Sequence, residues 1–436
     1  MVKMLMSLLS CMLVLVAGVI NVKRHILFRD KELLVKIMNT SIAIIFFIIS
    51  SSTIYANILW ERDLVFDVNT NSSPHVYCIN KEANNLFIIT KTVPKGEYFH
   101  KAGNLVFWDI GASGNIFSKA KLQGADGNEI KTNAFAMRDG SVMASDDLGN
   151  LLTIGLLEEQ QKEPSFSISV ANGIEPNIII IKPIKDLKMQ QLISFLDNTV
   201  LGVGATNTNG FCVKLNNHGE IIEQALFDVG QNEIFTSTDW SKNEKPNIVA
   251  VGLSFKLANQ ETEESYAQNF IILYDPNLNM VHEDYFMGWT SMSPFSLMLK
   301  PKVCYLEDGN IVVVYNKENS DLKMQLWARC YTPEFKILWD KDILPVDANI
   351  FSFDLVSTES GGFLMAVVKD QVEKVEFSYW DKECQIIKKS YYNGLVATHC
   401  FNLIRMKNKT IAIFEEYSGR GNMKDITIKA KIIALK

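Results

Sequence analysis

The sequence predicts an all-β protein whose chain folds into a closed ring of seven four-stranded antiparallel sheets. Three observations lead to this prediction. Two families of strand-like segments recur along the chain. No helical periodicity of 3.6 residues is sustained after residue 56. A single outer-strand segment stands alone at residues 57–67, before any other strand of its own sheet.

The first 56 residues indicate the location of the protein. Residues 4–20 and 42–56 are uncharged apolar runs, and the second ends in small residues. Five basic residues lie between them: Lys23, Arg24, Arg29, Lys31 and Lys36. The positive-inside rule keeps such residues in the cytoplasm, which directs the second run outward.

Two interpretations of this segment remain open. In the first, translation starts near Met38 and residues 42–56 form a secretory signal that is cut after Ala56. In the second, the two runs form a membrane hairpin that anchors the chain, although both are short for spanning helices. Both predict a targeting segment at 1–56 and a single domain at 57–436 outside the cytoplasm, whether secreted, periplasmic or at the cell surface.

Composition excludes several classes of protein. The formal net charge is -6, so we expect no nucleic-acid partner. Of the seven cysteines, six follow residue 56 and none forms a CxxC pair, which excludes a zinc ribbon and a thioredoxin-type motif. An even number in an exported chain permits disulfides, but their apolar, strand-like surroundings favour buried thiols.

The first repeated segment is a small turn residue followed by alternating aliphatic residues, which is typical of a strand entered from a tight turn. Seven copies begin at Asn84, Gly140, Asn198, Asn247, Gly309, Gly361 and Asn408.

The second repeated segment is a hairpin. A bulky residue, usually followed by Asn, Asp or Thr, precedes a short turn and then two aliphatic residues, and the polar side chains and glycines supply the turn chemistry. The strands after these turns begin at Ile116, Ile221, Met280, Ile337 and Ile386, with a degenerate member at Phe166.

The missing seventh member of the hairpin family is the segment "ILWERDLVF" from Ile58. At the other end of the chain, three strands after residue 400 lack a fourth. We therefore predict a seven-bladed β-propeller of four-stranded blades, in which residues 57–67 complete the blade begun at the C-terminal end. A closed ring leaves no free sheet edge for pairing, so we expect a monomer.

The hairpin template resembles the repeats of exported bacterial β-propellers, including the quinoprotein-like type. Asp275, Asp381, Gly219 and Trp339 match parts of the pattern in which Asp-x-x-Gly precedes a strand bearing Trp. The resemblance covers nearly all of residues 57–436. It implies a fold and no quinone, because the repeating Trp is absent from most blades.

Motifs for chemistry are scarce. The sequence has no HExxH, GxSxG, P-loop, GxGxxG or complete EF-hand loop, and we expect neither a cofactor nor a metal site. The acidic stretches from Gly124 and from Ser145 lack calcium-ligand spacing and are predicted to be turns. His218 and His282 are expected to be solvated.

Candidate binding residues lie in the longer predicted loops, because loops on a rigid scaffold carry recognition. Five of them belong to the face of the ring that carries the connections between blades and between second and third strands: Glu97, His100, Tyr266, Trp289 and Arg420. Trp240, in the stretch "TSTDWSKNEKPN", is a further aromatic candidate.

Two functions are consistent with these observations. We expect an exported, noncatalytic binding or scaffold protein that uses one propeller face to recognise a protein or glycan. The alternative is an extracytoplasmic polysaccharide lyase or glycoside hydrolase whose acids come from different blades. Two carboxylates about 5 to 10 Å apart in one pocket would favour the enzyme.

Overall fold

The computed structural model describes the chain from Ile58 onward, with gaps. The described residues are 58–80, 84–97, 103–124, 131–132, 142–145, 151–154, 166–167, 178–181, 188–206, 208–216, 218–229, 232–243, 246–256, 266–289, 300–318, 324–344, 350–369, 374–396, 402–419 and 426–436. Among them, no helix is long and apolar enough to cross a membrane. The signal and anchor interpretations concern residues 1–56, which lie outside the described set.

The described chain is all β and forms a propeller whose blades contain four antiparallel strands. Blade 1 contains β2 (Thr70–Asn80), β3 (Asn85–Pro94), β4 (Gly103–Gly111) and β5 (Ile116–Lys121). Blade 2 contains β12 (Lys188–Ser194), β13 (Val200–Ala205), β14 (Gly210–Leu215) and β15 (Ile221–Phe227). Blade 3 contains β16 (Asn232–Trp240), β17 (Ile248–Lys256), β18 (Tyr266–Tyr274) and β19 (Met280–Trp289).

The remaining blades follow the same order. Blade 4 contains β20 (Lys302–Tyr305), β21 (Ile311–Glu318), β22 (Met324–Tyr331) and β23 (Ile337–Asp342). Blade 5 contains β24 (Ile350–Ser357), β25 (Phe363–Lys369), β26 (Lys374–Trp380) and β27 (Ile386–Asn393). Blade 6 contains β29 (Asn402–Met406), β30 (Lys409–Ser418), β31 (Thr427–Leu435) and, from the other end of the domain, β1 (Ile58–Leu64).

The prediction of seven four-stranded blades is wrong, because the described residues form six. Between blades 1 and 2 lies a three-stranded sheet of β8 (Val142–Ser145), β9 (Leu151–Ile154) and β11 (Ile178–Ile181). Its strand β11 runs parallel to β9, so it cannot follow β9 through a tight hairpin. The predicted outer strand at Phe166 instead forms β10 (Phe166–Ser167), which pairs with β6 (Gln123–Gly124). Two further short strands, β7 (Lys131–Thr132) and β28 (Leu395–Val396), pair with β4 and β30.

The ring closes through strands from opposite ends of the domain. Strand β1 pairs antiparallel with β31, with Ile58 opposite Leu435 and Leu64 opposite Ala430. A side-chain ion pair also joins the two strands, since Lys429 Nζ lies 2.8 Å from Asp63 Oδ2. The predicted closing strand at residues 57–67 therefore completes blade 6, and its paired part is Ile58–Leu64.

The predicted hairpin template is present between third and fourth strands. In blade 3, Asp275 Oδ1 accepts hydrogen bonds from the backbone N–H groups of Asn277 and Asn279, both at 2.9 Å. In blade 5, Asp381 Oδ1 likewise accepts hydrogen bonds from two backbone N–H groups, those of Glu383 and Gln385, at 3.1 and 2.7 Å. The fourth residue of each turn has positive φ: Gly114, Gly219, Leu278, Phe335 and Cys384. The turn side chain stabilises the left-handed backbone even where the residue is not glycine.

Each outer strand continues from its turn into a β-bulge. The ladder skips one residue near the start of the outer strand in every four-stranded blade, and these residues are Leu59, Phe117, Ile222, Val281, Leu338 and Ile387. Each is between 46% and 61% exposed. A bulge bends and twists an edge strand, which works against edge-to-edge pairing of the exposed outer strands.

The hydrophobic core lies between neighbouring blades. Residues that alternate along each strand pack against the next blade, as expected for sheets covered on both faces. Phe270 in blade 3 packs against Phe227 of blade 2 with ring centroids 4.7 Å apart. Leu64 and Ile432 of blade 6 share a buried cluster with Trp108 of blade 1, so the closing blade is packed as well as hydrogen-bonded.

Candidate functional site

The alternation of strands gives the propeller two different faces. We call the face with the turns after first and third strands the hairpin face. The opposite face, with the connections after second strands and between blades, is the loop face. The innermost strands of the blades surround the central channel, which opens at both faces.

The predicted site residues are only partly within the described chain. Glu97 lies on the loop face, after β3, and its backbone N–H donates to Pro94 O at 3.1 Å. Tyr266 begins β18 and Trp289 ends β19, so the backbone places them at neighbouring strand ends of blade 3, also on the loop face. His100 and Arg420 lie outside the described residues.

Trp240 lies at the other end of the ring from these residues. It is the last residue of β16 rather than part of a loop, so it belongs to the hairpin face. Its indole N–H donates to Ser194 O at 2.9 Å, and its ring packs edge-on against Phe195 at 5.3 Å. The side chain joins blades 2 and 3, which accounts for its position by packing.

The cysteines are buried thiols wherever the structure describes them, which confirms the sequence prediction for these positions. The five residues are Cys78, Cys212, Cys304, Cys330 and Cys384, and all are free. Burial raises the pKa of the Cys330 thiol to about 12 and that of Cys384 to about 11. A high thiol pKa suppresses the reactive thiolate, so these residues suit a packing role. Cys400 lies outside the described residues.

The predicted histidine roles are confirmed where they can be seen. His218 sits exposed in the hairpin turn of blade 2, and its backbone N–H donates to Asn216 Oδ1 at 2.9 Å. His282 is exposed on β19 and stacks on Phe335. Within the described ranges, no three His, Cys, Asp or Glu side chains come together in a way that could hold a metal ion.

Four innermost strands of the described blades, β2, β12, β16 and β24, carry a bulge, and the bulges of β12 and β16 lie beside the segment that enters blade 4. In β12 the ladder passes from Met189 to Gln191, and in β16 it passes from Phe235 to Ser237. The skipped residues are Gln190 and Thr236. A bulge re-aims the side chain that it frees from the ladder, and bulges are common beside functional sites.

Both freed side chains contact the chain that enters the first strand of blade 4. Lys300 Nζ donates to Gln190 Oε1 at 2.5 Å, and the Thr236 hydroxyl donates to Pro301 O at 2.7 Å. Four successive blades therefore contribute to one polar cluster, which we call the channel cluster: Gln190, Thr236, Lys300, Lys302 and Asp354. Sequence patterns miss it because Gln190 and Lys300 are 110 positions apart.

The charges of the channel cluster are unevenly balanced. Lys302 Nζ lies 3.4 Å from Asp354 Oδ1, and Asp354 Oδ2 accepts the backbone N–H of Leu403 at 2.8 Å. Lys300 has the neutral amide of Gln190 as its partner. Burial, with a smaller contribution from the neighbouring Lys302 charge, lowers the pKa of Lys300 from 10.5 to about 8.

This shift predicts a pH dependence of stability. The unfolded chain holds the Lys300 proton up to pH 10.5 while the folded chain releases it near pH 8, so the unfolded state binds more protons in between. The contribution of Lys300 to the free energy of unfolding therefore rises as pH increases across that interval. Urea denaturation of the wild type and of Lys300→Met measures this effect. As pH increases from 8 toward 10.5, the free energy of unfolding of the wild type should rise relative to that of Lys300→Met, which has no proton to lose at this position. A difference that stays constant with pH would contradict the prediction.

The hairpin face carries a shallow groove of about 230 Å³ between blades 5 and 6. It is lined chiefly by two neighbouring turns, 357–360 and 407–409, with Arg405 and Tyr379 beside them. Arg405 Nη1 is bound to Glu307 at 2.5 Å and to the Ser357 hydroxyl at 3.1 Å. Lys409 Nζ donates to Ala112 O of blade 1 at 2.6 Å. These contacts tie the blades together, so the basic groups serve the scaffold.

The comparisons with known proteins assign no family to this chain. No protein-family model matches the chain, and no curated protein matches it. A solved structure of a protein of unknown function from Bacteroides caccae is similar, with 14% sequence identity and a TM-score of 0.34. The match covers 63% of this chain and 90% of that one. The assignment of this chain as a β-propeller therefore rests on its own sheets.

Proposed function

We propose that the protein is an exported, noncatalytic binding protein that holds its ligand, a protein or a glycan, at the loop-face end of the propeller channel. The channel cluster is the observation that carries the proposal. It brings together two lysines, an amide and a hydroxyl from three blades, and bulges position the amide of Gln190 and the hydroxyl of Thr236.

The chemistry of the cluster favours binding over glycoside hydrolysis. A glycosidase needs two carboxylates facing one bond, one of which must accept or donate a proton. The channel cluster contributes one carboxylate, Asp354, and both of its oxygens already have partners in Lys302 and the Leu403 N–H. Its lysines and hydrogen-bonding groups suit recognition of an anionic or polar ligand.

Export follows from the N-terminal sequence. The apolar runs at 4–20 and 42–56, with basic residues between them, support a location outside the cytoplasm with either a cleaved signal or a membrane anchor.

Affinity electrophoresis through gels containing single polysaccharides, followed by chromatography of the polysaccharide, tests the proposal. We expect at least one polymer to retard the full-length protein while the polymer keeps its chain length. Release of shorter products would contradict the noncatalytic role. Failure of every polymer to retard the protein would remove the glycan as ligand. Fractionation of host cells into medium, periplasm, membrane and cytoplasm tests export, and recovery of the propeller in the cytoplasmic fraction alone would contradict it.

A further inference from the structure

We infer that the channel cluster is a binding site for a carboxylate carried by an acidic sugar, with Lys300 as its principal contact. The inference deepens the proposed function by naming the chemical class of the ligand, and it rests on that proposal.

Lys300 lacks the partner that a partly buried cation normally has. Its ammonium group is bonded to a neutral amide oxygen, and among the described residues no carboxylate lies within ion-pair distance of it. Removing a charge from water without an opposite charge is unfavourable, so such groups are usually paired. A protein tolerates this arrangement most readily where a ligand supplies the missing charge.

The surroundings of Lys300 increase the need for an anion. Lys302 is two positions along the same segment, so the two side chains lie on the same side of an extended chain. Asp354 compensates Lys302 at 3.4 Å, and one carboxylate for two lysines leaves the second positive charge of the cluster unbalanced. The chain as a whole has a net charge of -6, so this local excess of positive charge is not a general property of its surface.

The polarity of the cluster suits a carboxylated sugar. A carboxylate can accept hydrogen bonds from Lys300 while the amide nitrogen of the neighbouring, half-buried Gln190 donates to a hydroxyl group of the same sugar. An acidic peptide is the other source of a carboxylate, and the probes below distinguish it from an acidic sugar.

The test uses the full-length protein and three probes: tri-galacturonate, the neutral galactose trisaccharide, and tri-glutamate. Isothermal titration calorimetry should detect binding of tri-galacturonate to the wild type. Lys300→Gln should weaken this binding at least about 10-fold, because it removes a charge-assisted hydrogen bond. Lys300→Arg should retain most of the affinity, since it keeps the charge.

A matched control is Lys214→Gln. Lys214 is also partly buried, but it is paired with Glu223 at 3.4 Å on the outer part of blade 2. We expect the Lys214→Gln variant to bind tri-galacturonate with the same affinity as the wild type. A second readout is amine modification at pH 8, followed by peptide mass mapping. Tri-galacturonate should protect Lys300 from the reagent and leave Lys214 unprotected.

The outcomes separate this inference from the proposed function. Equal binding of tri-galacturonate by the wild type and Lys300→Gln would overturn the site while leaving a glycan-binding protein. Preference for tri-glutamate, or equal binding of the neutral trisaccharide, would overturn the acidic-sugar assignment. If tri-galacturonate fails to bind while another polymer retards the protein in the gel, the ligand class is wrong and the proposed function stands.

Discussion

Replacing Arg329 by methionine is expected to lower the free energy of unfolding by about 2–4 kcal/mol, because it leaves two carboxylates without their cation. Arg329 in blade 4 pairs with Asp284 of blade 3 at 3.0 Å and with Asp340 of its own blade at 2.7 Å. The hydroxyls of Tyr331 and Tyr315 donate to the same two carboxylates, at 2.7 and 2.8 Å. Equilibrium urea denaturation measures the change.

The pair of Lys214 and Glu223 is the control for this substitution. It is a single ion pair at 3.4 Å, and Lys214→Met should change the free energy of unfolding by less than about 1 kcal/mol. A double-mutant cycle of Arg329→Met with Asp284→Asn isolates the contact between blades 3 and 4. A coupling energy near zero would show that the network does not hold these blades together.

Replacing Phe270 by alanine should cost about 3–5 kcal/mol, since the ring is removed from a packed interior and leaves a cavity. Phe270 is fully buried on β18, with its ring centroid 4.7 Å from that of Phe227 and 5.1 Å from that of Phe235. The three rings fill the space between blades 2 and 3. The midpoint of urea unfolding reports the loss.

Phe117→Ala is the matched control for the Phe270 substitution. Phe117 is the bulged residue of blade 1, and 51% of it is exposed. Its removal should cost less than about 1 kcal/mol, because much of the ring is already in water. Equal losses for the two variants would contradict the assignment of the core to the spaces between blades.

Much of the architecture could be predicted because it is repeated. The hairpin template located the outer strands at Ile221, Met280, Ile337 and Ile386, and each begins where the sequence predicted. The template predicted the turn of blade 3 correctly even though Leu278 has a positive φ, which is unusual for leucine. The Asp275 side chain fixes this turn by accepting the backbone N–H of Asn279. Closure by the N-terminal strand followed from counting strands, and β1 does pair with β31.

The number of blades was wrong where the repeat weakens. The connection between β9 and β11 runs from residue 155 to residue 177, and the two strands pair in parallel. A pattern that identifies single strands cannot give their direction when the connection is long. The match of "FSISVAN" to the template was therefore a poor guide to pairing.

The channel cluster could not be predicted from sequence. The stretch "KMQQLIS" reads as a strand, but nothing in it marks Gln190 as the residue that leaves the ladder. Its partner Lys300 comes from a different blade, and only the closed ring brings the two together. That the loop face carries a binding site stays a prediction.

Hydrogen–deuterium exchange of the full-length protein, read out in peptides covering residues 58–64, tests ring closure most directly. An outermost strand is hydrogen-bonded on one side only, so about half of its amides should exchange slowly, at rates comparable with those of Thr427–Leu435. Fast exchange throughout Ile58–Leu64, while β31 stays protected by β30, would contradict a ring closed by the N-terminal strand.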